Sequence, residues 1–160
     1  MSFNEFEVVG NQVQNLANAK GLRIGVVRSL FRSALTERMQ AVVHQRATQL
    51  GAHIAGVALA RGALETPLLA QRQLLRKDID GVVILAAVVQ GKTRHDDVVV
   101  MQATRALVDL SLRFDKPVGL GIIGPGVTLE QAHERVTEYA QGALDAVVLS
   151  AATPRHTKKG

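Results

Sequence analysis

The segment Gln90-Gly91-Lys92-Thr93-Arg94-His95-Asp96-Asp97 holds the richest set of chemically useful residues in the chain. Gly91 permits close backbone approach to a bound group, and Thr93 with Asp96 three residues on has the spacing of a helix N-cap. The free amides of such a helix start suit an anion. His95 then falls in the first helical turn, where the positive end of the helix dipole disfavours imidazolium and keeps a neutral ring ready to accept a proton. The same residues would serve equally as a plain cap beside a solvated His95. The Gly91-Lys92-Thr93 triplet is not a nucleotide-binding P-loop, because that motif requires a glycine where Ala86 stands.

Three other segments carry candidates. In Arg61-Gly62-Ala63-Leu64-Glu65-Thr66-Pro67, a glycine ends an apolar run, Thr66 is expected as N-cap and Pro67 as the first helical residue. Glu65 is then placed to accept hydrogen bonds from ligand hydroxyls, or simply to complement the helix dipole. Gly124-Pro125-Gly126 reads as a rigid turn before a Thr128/Gln131 capping box. Arg135, on the same helix face, has the bidentate geometry for a phosphate, or could pair with Glu134 or Glu138. Phe31, in Arg28-Ser29-Leu30-Phe31-Arg32-Ser33, could stack on a flat heterocycle, although a place in the core is the commoner fate of such a residue. His44, His53, His133 and His156 have no acidic or imidazole partner at ligand spacing, so no metal is assigned.

The elements that must position these residues alternate. Apolar runs at 23–28, 53–60, 80–89 and 117–123 are each followed by helical periodicity, at 34–50, 66–77, 94–114 and 128–151. Four strand–helix units in succession predict a single α/β domain over residues 21–152 with a four-stranded parallel sheet. Ligands of such sheets sit outside the carboxyl ends of the strands, which confines the search to loops 28–34, 60–66, 90–96 and 123–128. Residues 1–20 read as an N-terminal arm, and 153–160 as a basic flexible tail.

Composition narrows the class. With 47% hydrophobic residues in 160, the chain has the material for one core. The net charge is +5, but Arg155, Lys158 and Lys159 crowd the C-terminus, and four Phe, one Tyr and no Trp supply few stacking platforms. A nucleic-acid partner is therefore not expected. Cysteine is absent, which excludes disulfides and thiolate chemistry and is compatible with a cytoplasmic location. The N-terminus lacks the pattern of a secretory signal, and no apolar run approaches a membrane span.

Taken in order, GLRIGVV at 21–27, Phe31, GALETPL at 62–68, GKTRHD at 91–96 and DKPVGLGIIGPGVTLEQAHERV at 115–136 resemble the 6,7-dimethyl-8-ribityllumazine synthase family. The GPG-V-T and Q-A-x-E-R pattern is most similar to the archaeal branch. The resemblance implies a flavodoxin-like three-layer α/β/α sandwich. It also implies condensation of 5-amino-6-ribitylamino-uracil with 3,4-dihydroxy-2-butanone 4-phosphate, without cofactor or metal. Carried over by position, Phe31 and Leu120 face the pyrimidine, Gly62, Ala63 and Glu65 hold the ribityl chain, and Val89, Gly91, Lys92 and Thr93 line the substrate and phosphate sites. His95 matches the family's proton-transfer histidine, and Arg135 the phosphate-binding arginine supplied by a neighbouring subunit. The family forms pentamers, in many members twelve to a shell, whose N-terminal arm adds a strand to a neighbour's sheet; Val8 and Val9 would play that part here. Nucleic acid would enter only as encapsulated anionic cargo.

Some loop positions depart from the family pattern. Arg32 replaces an Asn, Arg61 a Pro, Leu64 an aromatic, and Lys92 an acidic or small residue; Leu120 stands for a bacterial Phe and Tyr139 for a bacterial Lys. Lost stacking and positioning contacts predict reduced activity. The alternatives are a diverged relative acting on a more anionic substrate and a non-catalytic shell-forming protein of the same fold.

Overall fold

Residues 19–155 are described by a computed structural model. Strands β1 (Arg23–Ser29), β2 (His53–Ala60), β3 (Gly81–Ala87) and β4 (Val118–Ile123) form one parallel sheet in the order β2-β1-β3-β4. The short β-rich runs read from sequence become strands because covering helices bury both sheet faces; every residue of β3 is buried.

Side-chain alternation divides β3 between two cores. Val83, Leu85 and Ala87 join Ile24 and Val26 on one face, beneath helices α1 (Ser33–Leu50) and α5 (Val136–Ala152). Val82, Ile84 and Ala86 join Val27 on the other, beneath α2 (Thr66–Leu74) and α3 (His95–Phe114). Leu35, Met39 and Val43 are the α1 knobs of the first core, and Ala103 and Leu107 those of α3 in the second. The result is the expected three-layer α/β/α sandwich of flavodoxin-like type.

The chain winds from β1 outward to β2, then crosses back to β3 on the far side of β1. This reversal makes the gap between the carboxyl ends of β1 and β3 a topological switch point, where a crevice opens.

Local expectations needed correction at several points. The single helix expected over 128–151 is two, α4 (Leu129–Glu134) and α5, broken at Arg135, whose φ of −98° and ψ of 0° leave the helical region. The α2 helix stops at Leu74 rather than 77, where Lys116 Nζ donates to the carbonyls of Leu74 at 3.0 Å and Arg76 at 2.8 Å. Thr66 is the first helical residue and follows a 3-10 turn at Ala63–Glu65, so Glu65 occupies the N-cap position. Likewise Arg94, not Thr93, precedes α3, and no side chain caps it. The third strand ends at Ala87, leaving Val88 to Gln90 to the loop.

The α4 start is as expected: Gln131 N–H donates to Thr128 Oγ1 at 3.2 Å, and Thr128 N–H to Gln131 Oε1 at 3.0 Å. Of the proposed arm only Ala19 and Lys20 are described, Ala19 within the first core; Val8, Val9 and His156 lie outside the described residues. Among the described residues no helix is long and apolar enough to cross a membrane.

Candidate active site

At the switch point lies a cleft of about 460 Å³, floored by the strand ends Ser29 and Ala87 and walled by three of the four loops singled out from sequence. Phe31 closes one side. It is 64% exposed, so the core placement favoured for an isolated Phe does not hold. Backbone bonds from Leu30 N–H to Ala60 O at 2.7 Å and from Phe31 N–H to Arg61 O at 2.9 Å draw the first loop alongside the second. Arg32 has its guanidinium carbon 5.5 Å from the Phe31 ring centroid.

The second wall is Arg61 to Glu65. Glu65 Oε2 accepts the Gly62 N–H at 2.9 Å, which closes the 3-10 turn. Thr66 Oγ1 donates to Ala63 O at 2.7 Å and fixes the turn to α2. The third wall is Val88, Val89, Gly91, Thr93, His95 and Asp96. His95 opens α3 and is exposed, in the first-turn position expected for it.

Of the residues expected at the site, Phe31, Gly62, Ala63, Glu65, Val89, Gly91, Thr93 and His95 line this one cleft. Lys92, Leu120 and Arg135 do not. Lys92 is exposed on the same loop as its lining neighbours Gly91 and Thr93. Leu120 is half-buried on β4 and packs on the core beneath α2 and α3. Arg135 is half-buried at the break between α4 and α5, and its side chain pairs with neither Glu134 nor Glu138 among the described residues.

Sequence reasoning missed Ser29, Ala87, Val88, Asp96 and Val99 as lining residues. Ser29 lies just past the apolar run 23–28 and so reads as loop; it is in fact the last residue of β1 and part of the cleft floor. From sequence, Asp96 reads only as a capping partner of Thr93.

The charges around the cleft are unbalanced in partnership. Its acids are engaged by amides, Glu65 with Gly62 and Asp96 with Gly126, the latter at 3.0 Å. Arg61, Lys92 and Arg94 are exposed and make no ion pair among the described residues. Free cations beside open backbone amides form an anion-receptive surface, while Phe31 offers an apolar face for a planar ring. Among the described residues no group of three His, Asp or Glu is placed to hold a metal ion.

Comparison with known proteins agrees with this architecture. Residues 21–155 match the family described as 6,7-dimethyl-8-ribityllumazine synthase. A protein of that name from Staphylothermus marinus is 46% identical over 125 residues, covering 78% of this chain and 83% of its own. The Metallosphaera sedula protein of the same name is 42% identical over 139 residues, 87% of this chain and 92% of its own. That from Methanothermobacter thermautotrophicus is 43% identical over 129 residues, covering 81% and 92%. These relatives are archaeal, in keeping with the GPG-V-T pattern. The chain belongs to the 6,7-dimethyl-8-ribityllumazine synthase family.

Proposed function

We propose that this protein condenses 5-amino-6-ribitylamino-uracil with 3,4-dihydroxy-2-butanone 4-phosphate to give 6,7-dimethyl-8-ribityllumazine, phosphate and water. The observation that carries the reading is convergence. Phe31, the Gly62–Glu65 turn, Gly91, Thr93 and His95 come from three separate loops and line one open cleft in a chain of this family. Each has a task suited to its chemistry. Phe31 stacks on the pyrimidine, and Glu65 together with the Gly62–Ala63 backbone accepts and donates hydrogen bonds along the ribityl hydroxyls. The loop carrying Gly91, Lys92 and Thr93 receives the phosphate.

The first amine attacks the ketone and loses water as an imine. Phosphate then leaves, and the second nitrogen closes the ring with loss of a second water. His95 moves the proton that accompanies phosphate departure, as a general acid–base group at the start of α3 in the wall of the cleft. Cations at the phosphate stabilise the leaving dianion.

One chain leaves the cleft open. Phe31 is largely exposed, and Arg135 lies outside the lining. Supply of Arg135 by a second copy completes the phosphate site, which makes the active species a homo-oligomer, a pentamer in this reading. Exposed apolar residues along α3 support assembly: Met101 and Val108 stand seven residues apart and Val98 and Leu112 fourteen, with the ion-paired Arg105 midway between the latter two and Leu112 77% exposed. Apolar residues so arranged form a helix-to-helix seam. The cytoplasm supplies both small-molecule substrates.

The test is a rate assay with both substrates, following lumazine absorbance against the uncatalysed background. Turnover well above background is expected; a rate equal to background with correctly assembled protein would overturn the assignment.

A further inference from the structure

The loop that carries the phosphate-site residues is pinned at both ends to the Gly124-Pro125-Gly126-Val127 turn. At its start, Gln90 N–H donates to Val127 O at 2.8 Å. At its end, Asp96 Oδ2 accepts the Gly126 N–H at 3.0 Å. Gly91 to His95 are suspended between these two anchors. Gly126 holds φ at +74°, a conformation that turns its amide while avoiding a Cβ penalty.

Asp96 is the unusual member of the pair. The other residues that α3 buries are Ala103, Leu107 and Leu110, yet this carboxylate is only 9% exposed and lines the cleft. A negative charge at the edge of a phosphate site opposes anion binding, so its placement needs a reason other than ligand affinity. A helix-dipole role is open to Asp97, which is exposed in the same first turn. The bond to Gly126 is what Asp96 alone provides.

We infer that Asp96 is a positioning residue for the phosphate half of the reaction: by accepting the Gly126 amide it holds the Gly91–His95 loop in its phosphate-receiving shape. The inference rests on the condensation reading of the cleft. It separates the two substrates, because the Arg61–Glu65 wall receives no support from this bond. Asparagine retains a carbonyl acceptor of the same reach without the charge, whereas serine is too short to bridge to Gly126.

The experiment compares full-length wild type, D96N and D96S, with each substrate varied separately and circular dichroism melts verifying the fold. D96S should raise KM for the butanone phosphate, and the inhibition constant of inorganic phosphate, by about tenfold or more, with KM for the ribitylamino-uracil nearly unchanged. D96N should stay within about threefold of wild type on all of these. Equal losses for both substrates, or a D96N as impaired as D96S, would overturn the inference. Amide hydrogen exchange on the same proteins gives a readout independent of turnover: faster exchange across 90–96 and at Gly126 in D96S but not in D96N is expected. Should wild type lack turnover, the condensation reading fails by itself, and unchanged exchange in D96S would then sink the positioning role.

Discussion

Gln73 Nε2 donates to the Val26 carbonyl at 3.0 Å, and its side chain runs so close beneath β1 that a Cβ added to Gly25 would fall on Gln73 Oε1. Glycine at 25 is thus required by a side chain from α2. Gln73 Oε1 is buried without a hydrogen-bond partner among the described residues, so the site has no slack on the polar side either. Gly25→Ala should destabilise by about 2 kcal/mol through overpacking, and Gln73→Ala in the same chain should recover part of that loss. Chemical denaturation of the single and double variants measures it; strictly additive losses would disprove the steric link.

Arg46 and Asp145 form a buried two-point pair between α1 and α5, with Nε to Oδ1 at 2.9 Å. Burial nevertheless pushes the Asp145 carboxyl above its ordinary range, outweighing the hydrogen bond and charge of Arg46. A carboxyl with a raised folded pKa binds more protons folded than unfolded, so its contribution is full below the unfolded value, about 3.9, and is lost as pH rises through the folded value. Asp145→Asn does not titrate there. The stability of wild type relative to this variant should therefore fall as pH rises above about 4 through the raised folded value, and a difference that rises with pH would contradict the sign.

Arg32 precedes α1 with φ 58° and ψ 44°, in the left-handed region, and caps nothing with its side chain. Asn tolerates that conformation far better. Arg32→Asn should stabilise by about 0.5–1 kcal/mol after loss of the exposed cation–π contact with Phe31. A lower melting temperature in the variant would show the backbone to be unstrained.

If His95 and Arg135 serve one site from two chains, each inactive variant carries what the other lacks. His95→Ala and Arg135→Ala should each lower turnover by about a hundredfold or more alone. Mixed before assembly in equal amounts, they should regain about a quarter of wild-type activity, the share of interfaces with both residues intact. No recovery in verified mixed oligomers would place both residues in the same chain's site.

The fold was legible because it depends on patterns that survive in one sequence: four apolar runs of strand length, helical periodicity between them, and the capping box at Thr128. The break at Arg135 was not, since no Gly or Pro marks it and the apolar spacing runs on from Ala132 through Val136 and Ala140. Thr93 looked like a cap by composition, but the loop it sits in is held from outside, by Val127 and Gly126, so local capping does not decide where α3 begins. For the site, the loops were predictable from topology and most lining residues from the family pattern. Asp96 escaped because its meaning lies in a bond to a residue thirty positions away.

The exposed rim of the cleft has a consequence for how this protein can change over time. Arg61, Leu64, Lys92 and Arg94 stand in solvent, above a floor made by strands whose cores lie on the sheet faces. Substitutions at such positions shift stability by about 0.5 kcal/mol or less. Selection on what enters the cleft is therefore nearly decoupled from selection on folding, and the rim can be rewritten repeatedly while the scaffold beneath is inherited intact.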